Sequence, residues 1–295
     1  MHAPAGRHPV ARAATIPILK GISPLAPGTR AWLVDLWGVL HNGVAPFAPA
    51  VAACCRYRRE GGLVLLLSNA PRPWQSVAAQ LDRIGVTREA WDAIVSSGDA
   101  ARALIARLGR TAVFHLGPER DLPLYEGLNV DRVAADSAEA VVCTGLFDDE
   151  TETPADYVAL LAGFRARGLP MICANPDLSV ERGDRIVHCA GALAQAYARI
   201  GGEVAYAGKP YLPVYDMAFA ALARLEGRPL AKEAVLAIGD GIRTDIEGAA
   251  AAGVRAVYVA SGVHAGADAL DADLLARLFP EGAARPVAAM AALAW

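Results

Sequence analysis

The five positions 63–67 carry nothing but leucine and valine and then give way to Ser68-Asn69. A strand that is apolar on both faces has to be covered on both, which is the situation of a central strand in a parallel sheet. Similar short runs recur at 31–34, 93–95, 234–238 and 256–260. Between them lie longer stretches with helical periodicity. One, at 49–60, stops at Gly61-Gly62; another, at 76–84, stops at Gly85; a third, after Pro210, sets Tyr215, Phe219, Leu222 and Leu225 on one face. Short apolar strands alternating with amphipathic helices predict an α/β fold with a Rossmann-like parallel sheet.

The remaining pattern narrows the class by exclusion. Hydrophobic residues make up 54% of the 295 and charged residues only 20%, too apolar a balance for a disordered chain and enough to build a large core. The net charge is −3, with no basic stripe able to neutralise a run of phosphates, so no nucleic-acid partner is expected. No uninterrupted apolar stretch reaches the ~18 residues of a membrane-spanning helix, so no membrane partner is expected either. The five cysteines are odd in number and lack a C-x-x-C pair, which fits reduced thiols and a cytoplasmic location better than a disulfide framework. Arg7, Arg12, Lys20 and Arg30 precede the first acid, but three prolines in the first seventeen positions interrupt any amphipathic helix, so this segment reads as a loose leader.

Between 108 and 202 lies a stretch with its own strand candidates at 112–116, 140–143 and 171–174 and helices at 154–166 and 191–200. It reads as a second α/β domain inserted into the first. The expected division is a first core segment at 16–100, an inserted cap at 101–203, and a second core segment at 204–295, whose opening run, 204–207, leads into Gly208-Lys209-Pro210.

In an open parallel sheet, ligands bind beyond the carboxyl ends of the strands. Asp35, Ser68, Lys209 and Asp240 all stand at such ends or in the loops that leave them, and Asp245 follows in the same loop as Asp240. Converging carboxylates repel unless a divalent cation sits between them, and oxygen donors of this kind suit magnesium. A lysine and a hydroxyl beside them would hold a phosphoryl group. Each has a structural alternative: Ser68-Asn69 as turn chemistry, Lys209 as a surface charge and Asp245 as a helix cap, whereas a mere turn role for Asp35 is disfavoured because a carboxylate this close to the core is costly without a partner.

These segments, in this order, resemble the four motifs of the haloacid dehalogenase superfamily: Asp35-Leu36-Trp37-Gly38-Val39, Ser68-Asn69, Gly208-Lys209-Pro210, and Gly239-Asp240 with Thr244-Asp245. The cap's place between the second and third motifs, with Asn175-Pro176-Asp177 inside it, is similar to subfamily IIA, which includes sugar-phosphate, nitrophenyl-phosphate and pyridoxal-phosphate phosphatases. The resemblance implies that Asp35 is a nucleophile forming an aspartyl phosphate, with Ser68, Asn69 and Lys209 completing the catalytic set. It implies a Mg2+ ion held by Asp35, Asp240, Asp245 and the Trp37 backbone carbonyl. Asn175 and Asp177 are the implied substrate contacts, a small phosphorylated molecule is the implied substrate, and a homodimer formed through the cap is expected by analogy.

One position departs from the pattern. Phosphatases of the family carry a second aspartate two residues after the nucleophile, as general acid and base; this chain has Trp37. Indole has no proton to give near neutral pH. His41 is the nearest replacement along the sequence and His264 a remoter one. The departure leaves two alternatives beside a phosphatase: hydrolysis of a bond other than P–O through an ester of Asp35, or a non-catalytic ligand-binding protein on the same fold.

Overall fold

The protein was analysed as a computed structural model that describes residues 15–182, 185–260 and 270–295. The leader and His264 lie outside the described residues. In chain order the elements are β1 (Ala31–Val34), α1 (Ala48–Arg59), β2 (Leu63–Ser68), α2 (Trp74–Ile84), β3 (Ala93–Ser96) and α3 (Ser97–Arg107). Then come β4 (Ala112–Leu116), β5 (Asp131–Arg132), β6 (Ala140–Cys143), α4 (Val158–Ala166), β7 (Met171–Cys173), β8 (Ser179–Arg182), β9 (Arg185–His188), α5 (Ala190–Arg199) and β10 (Val204–Tyr206). The chain closes with α6 (Leu212–Glu226), β11 (Val235–Gly239), α7 (Glu247–Ala252), β12 (Arg255–Val259), α8 (Ala272–Leu278) and β13 (Ala288–Met290).

Six strands form one sheet in the order β13-β12-β11-β1-β2-β3, and every pairing in it is parallel. The four residues of β1 are all buried, and their side chains alternate between two cores. Trp32 and Val34 pack with α1 and α2, where Trp32 stacks on Tyr57 at 3.8 Å between ring centroids. Ala31 and Leu33 pack with α6, α7 and α8. Coverage on both faces is what a wholly apolar strand demands. The strand order also reverses at β1: from it the chain winds one way through β2 and β3 and later the other way through β11, β12 and β13. The crevice at the carboxyl end of β1 is therefore the topological switch point.

The second sheet runs β10-β7-β6-β4-β5, again parallel throughout. One face is covered by α4 and α5, the other by α3 and the segment around Leu124 and Tyr125. The strand pairing corrects one boundary read from the sequence. The run beginning at 204 was expected to open the second core segment, but β10 is the edge strand of the second sheet, Val204 opposite Met171 and Tyr206 opposite Cys173. A three-residue strand carries no mark of which sheet it joins; its partner decides. The antiparallel hairpin β8–β9, Ser179 opposite His188 and Arg182 opposite Arg185, was not anticipated.

Candidate active site

Asp35 follows β1 directly, Ser68 ends β2, and Asp240 follows Gly239 at the end of β11. Adjacent parallel strands in register thus deliver three polar side chains to one crevice, and the loop after β11 adds Asp245. A wide π-type turn, Ile242–Ile246, holds that loop, and the Gly241 N–H donates to Asp245 Oδ2 at 3.0 Å. Irregular turns of this kind recur at functional sites. Asp245 does not cap α7, whose cap position is Ile246. Oxygen atoms of Asp35, Asp240 and Asp245 all lie within 4.8 Å of one another.

Lys209 is 3% exposed and donates from Nζ to Asp35 Oδ1 at 2.5 Å and to Asp245 Oδ1 at 2.7 Å. Asn69 fixes the lysine from behind: its Oδ1 accepts the Lys209 N–H at 2.8 Å while its Nδ2 donates to the Lys209 carbonyl at 3.1 Å. The same Nδ2 donates to Asp177 Oδ1 at 2.9 Å, tying the core to the second sheet's domain. Gly208 makes this approach possible, because at φ +103° it takes a backbone angle L side chains avoid, and a Cβ there would lie 2.6 Å from Asn69 Oδ1. Ser68 is buried, its Oγ accepting from the Ala70 N–H at 3.1 Å. Asn175 Oδ1 accepts the Asp177 N–H at 3.0 Å, which shapes the loop that carries Asp177.

Three carboxylates around one ammonium leave the crevice short of positive charge. Burial, opposed by Lys209 and reinforced by Asp245, lifts the Asp35 carboxyl to about 7. Burial, then Asp35 and Asp245, push Asp240 well above the carboxylate range. At Lys209 burial works against the charge, but Asp245 and Asp35 outweigh it and the pKa rises. The donor set fits a hard divalent cation: oxygen atoms only, close enough to share one ion, with more negative charge than the lysine can offset. The backbone supports the same fit. A Cβ on Gly38 would lie 2.0 Å from Asp240 Oδ2, so the absent side chain is the space the carboxylate occupies.

Trp37 stands two residues past Asp35 on the wall of the same cavity, its ring edge-on to His41 at 5.3 Å and its outer edge against Gly43, where a Cβ would lie 2.5 Å from the indole. His41 is 2% exposed, and its Nδ1 accepts the Gly43 N–H at 2.9 Å. Burial lowers its pKa to about 4, so at neutral pH it is an uncharged brace of the turn, and its remaining N–H is too weakly acidic to protonate a leaving group. The cavity measures about 650 Å3 and reaches from these residues to the second sheet's loops. Several polar residues of its lining were not anticipated from sequence: Arg72, Arg120, Asp121, Asp149 and Arg182. Only Arg72 carried a signal, four residues after Ser68 on the loop leaving β2; the others come together through the fold of the inserted domain.

The haloacid dehalogenase-like hydrolase family model matches residues 32–131, and a HAD-hydrolase-like model matches residues 206–281. A curated D-glycerol 3-phosphate phosphatase from Mycobacterium tuberculosis is 32% identical over 251 residues, 83% of this chain and 67% of that protein. The chain belongs to the haloacid dehalogenase-like hydrolases, as the four motifs suggested, and is a hydrolase of the cap-bearing kind. A crystal structure of a haloacid dehalogenase-like hydrolase from Brucella suis 1330 superposes with a TM-score of 0.86 at 44% identity, covering 93% of this chain and 99% of that one. The glycerol phosphate phosphatase of M. tuberculosis, crystallised with calcium, superposes at 0.60 with 27% identity, covering 81% of this chain and 68% of that one. A 4-nitrophenylphosphatase from Thermotoga maritima shares the fold at 0.68 and 21% identity, over 91% of this chain and 96% of that one.

Proposed function

We propose that this protein is a magnesium-dependent phosphatase of a small phosphorylated metabolite, working through an aspartyl phosphate on Asp35. The observation that carries the reading is the meeting of Asp35, Asp240 and Asp245 around Lys209 at the sheet's switch point. An Asp35 oxygen attacks phosphorus, forming the O–P bond as the bond to the leaving oxygen breaks. Lys209 holds the nucleophile in place and offsets the charge of the transferring group, and Ser68 donates a hydrogen bond to a phosphoryl oxygen. Water then attacks phosphorus, releasing inorganic phosphate and restoring the Asp35 carboxylate. Asp35, Asp240, Asp245 and the Trp37 carbonyl would hold Mg2+, which supplies positive charge against the developing negative charge of transfer. Asn69 keeps Lys209 and Asp177 in register, and Asn175 and Asp177 face the substrate from the cap. At position 37 there is no acid to protonate the leaving oxygen, so esters of poorly departing alcohols turn over slowly.

The two separate sheets support a division into core and cap, with the return to the core after β10. Among the described residues no helix is long and apolar enough to cross a membrane, and the five cysteines are free and buried, which supports a cytoplasmic setting. The test is a phosphate-ester panel with Mg2+, with chelator, and with Asp35→Asn. Phosphate release that disappears in both controls is expected, and mass spectrometry of a quenched reaction should show a phosphoryl adduct on Asp35. A carbon adduct, or no metal-dependent release from any ester, contradicts the reading.

A further inference from the structure

The cavity continues from the carboxylates to a second charged group on its cap side. There Asp149 lies between two guanidinium groups. Arg182 donates to both of its oxygens, Nη1 to Oδ1 at 3.1 Å and Nη2 to Oδ2 at 2.8 Å, and Arg120 pairs with Oδ2 from the other side. Burial opposes the Asp149 charge, but Arg182 and Arg120 outweigh it and hold the carboxyl below its usual range. Two guanidiniums thus share one carboxylate in direct contact, with Glu150 acting on Arg182 only at longer range, so the pair keeps an excess of positive charge. It is not hidden: 47% of the Arg120 side chain and 34% of the Arg182 side chain remain uncovered on the cavity wall. Each guanidinium has five donors in a fixed fork, so both keep N–H groups to spare.

A neighbouring pair adds no countercharge. Arg72 faces Asp121 at 3.5 Å through Nε, and that Nε has no hydrogen-bond partner. The cavity is also much larger than a phosphoryl group needs; its volume of about 650 Å3 falls within the ~300–1,000 Å3 of sites that enclose a whole small molecule. One end of that space is built for the reacting phosphoryl group, and the other presents a forked cationic surface of the geometry that recognises carboxylate and phosphate.

We propose that Arg120 and Arg182 bind a second anionic group of the substrate, a carboxylate or a second phosphate, at the end remote from the phosphoryl group that Asp35 attacks. The inference rests on the phosphatase reading above and narrows it to phosphate esters that carry a second anionic group. Asp149 holds the two guanidiniums in position and competes with the substrate for them, so Arg120 and Arg182 are specificity residues and Asp149 a positioning one.

Three esters of similar size separate the possibilities: glycerol 3-phosphate with a neutral tail, 3-phosphoglycerate with a carboxylate, and propanediol bisphosphate with a second phosphate. Their kcat/KM values are compared in the wild type and in Arg182→Gln, Arg182→Lys and Asp149→Asn. The expected result is a preference of about tenfold or more for an ester with a second anionic group over glycerol 3-phosphate, the size of one hydrogen bond to a charged group. Arg182→Gln should erase most of that ratio through KM, Arg182→Lys should restore part of it, and Asp149→Asn should raise it. Whichever of these esters the wild type prefers identifies the second group. Equal kcat/KM for the three esters, or a ratio lowered by Asp149→Asn as much as by Arg182→Gln, as a purely structural network requires, overturns the proposal.

Absence of turnover with every ester is a failure of the phosphatase reading instead. Calorimetric titration of 3-phosphoglycerate, propanediol bisphosphate and glycerol 3-phosphate into Asp35→Asn protein then decides. Tighter binding of an ester with a second anionic group that Arg182→Gln removes upholds the subsite, and equal affinities reject it.

Discussion

Replacing Gly38 by alanine tests the geometry of the carboxylate crevice with a single methyl group. Gly38 sits at φ +81°, and the added Cβ would lie 2.0 Å from Asp240 Oδ2 and 2.7 Å from its Cγ. Real contacts of this kind do not fall below about 3 Å, so the Asp240 carboxylate must retreat by about 1 Å or more. The left-handed backbone adds about 1–2 kcal/mol of strain for a residue with a Cβ. For a protein of this size that is a melting shift of only a few degrees, at about 2–4 °C per kcal/mol. A ligand displaced by about 1 Å is far more damaging to chemistry, where such misplacement costs roughly a hundredfold in rate. Gly38→Ala should therefore melt within a few degrees of wild type in chelator, yet lose about a hundredfold in turnover and need much more Mg2+ to reach half-maximal rate. Turnover measured across a Mg2+ titration, beside a melting curve, reads both. Wild-type turnover with wild-type Mg2+ dependence would show that Asp240 does not need the space beside Gly38, and the reasoning would fall.

The other expectations concern pH and the missing acid. Burial lifts Asp35 to about 7 and Asp121 to about 6, whereas unfolded both titrate near ~3.9. Between those values the folded protein keeps protons the unfolded chain has released, so their contribution to stability is present below pH ~4 and is lost as pH rises toward ~7. Urea unfolding in chelator should show this loss, and Asp35→Asn should flatten its upper part; identical slopes for the two proteins would contradict the assignment. Trp37→Asp places a carboxyl group where the family's acid stands, and should raise turnover of alkyl phosphates by about a hundredfold or more with little change for 4-nitrophenyl phosphate, whose leaving group departs without a proton. No gain with alkyl esters would show that the cavity is shaped around the indole.

Much of the core was legible because each element states its surroundings locally. Positions 63–67 are apolar without a break because both faces of β2 are covered, and Gly85 ends α2 with φ +87° where only glycine is at ease. The hairpin β8–β9 was legible and missed: Gly183-Asp184 between two four-residue runs is a two-residue turn signal. The edge strand β10 was not legible, since Val204, Ala205 and Tyr206 suit either sheet and only hydrogen bonding to β7 assigns them. His41 shows the opposite failure. Its nearness to Trp37 along the chain suggested chemistry, but burial and the bond from the Gly43 N–H make it a structural brace.

The sequence by itself determined that this is a parallel α/β chain and which acids, lysine, serine and asparagine stand at its strand ends, because periodicity and punctuation are properties of neighbours. Only the tertiary structure decided how these residues share charge. That Asp35 and Asp245 both accept hydrogen bonds from Lys209, that Asn69, just past β2, reaches Asp177 in the other domain, and that Arg120 and Arg182 divide one carboxylate between them depend on distances between segments tens to more than a hundred residues apart. Electrostatic energy falls with distance in space and takes no account of separation along the chain, so the site's chemistry appears only once the strands are in register.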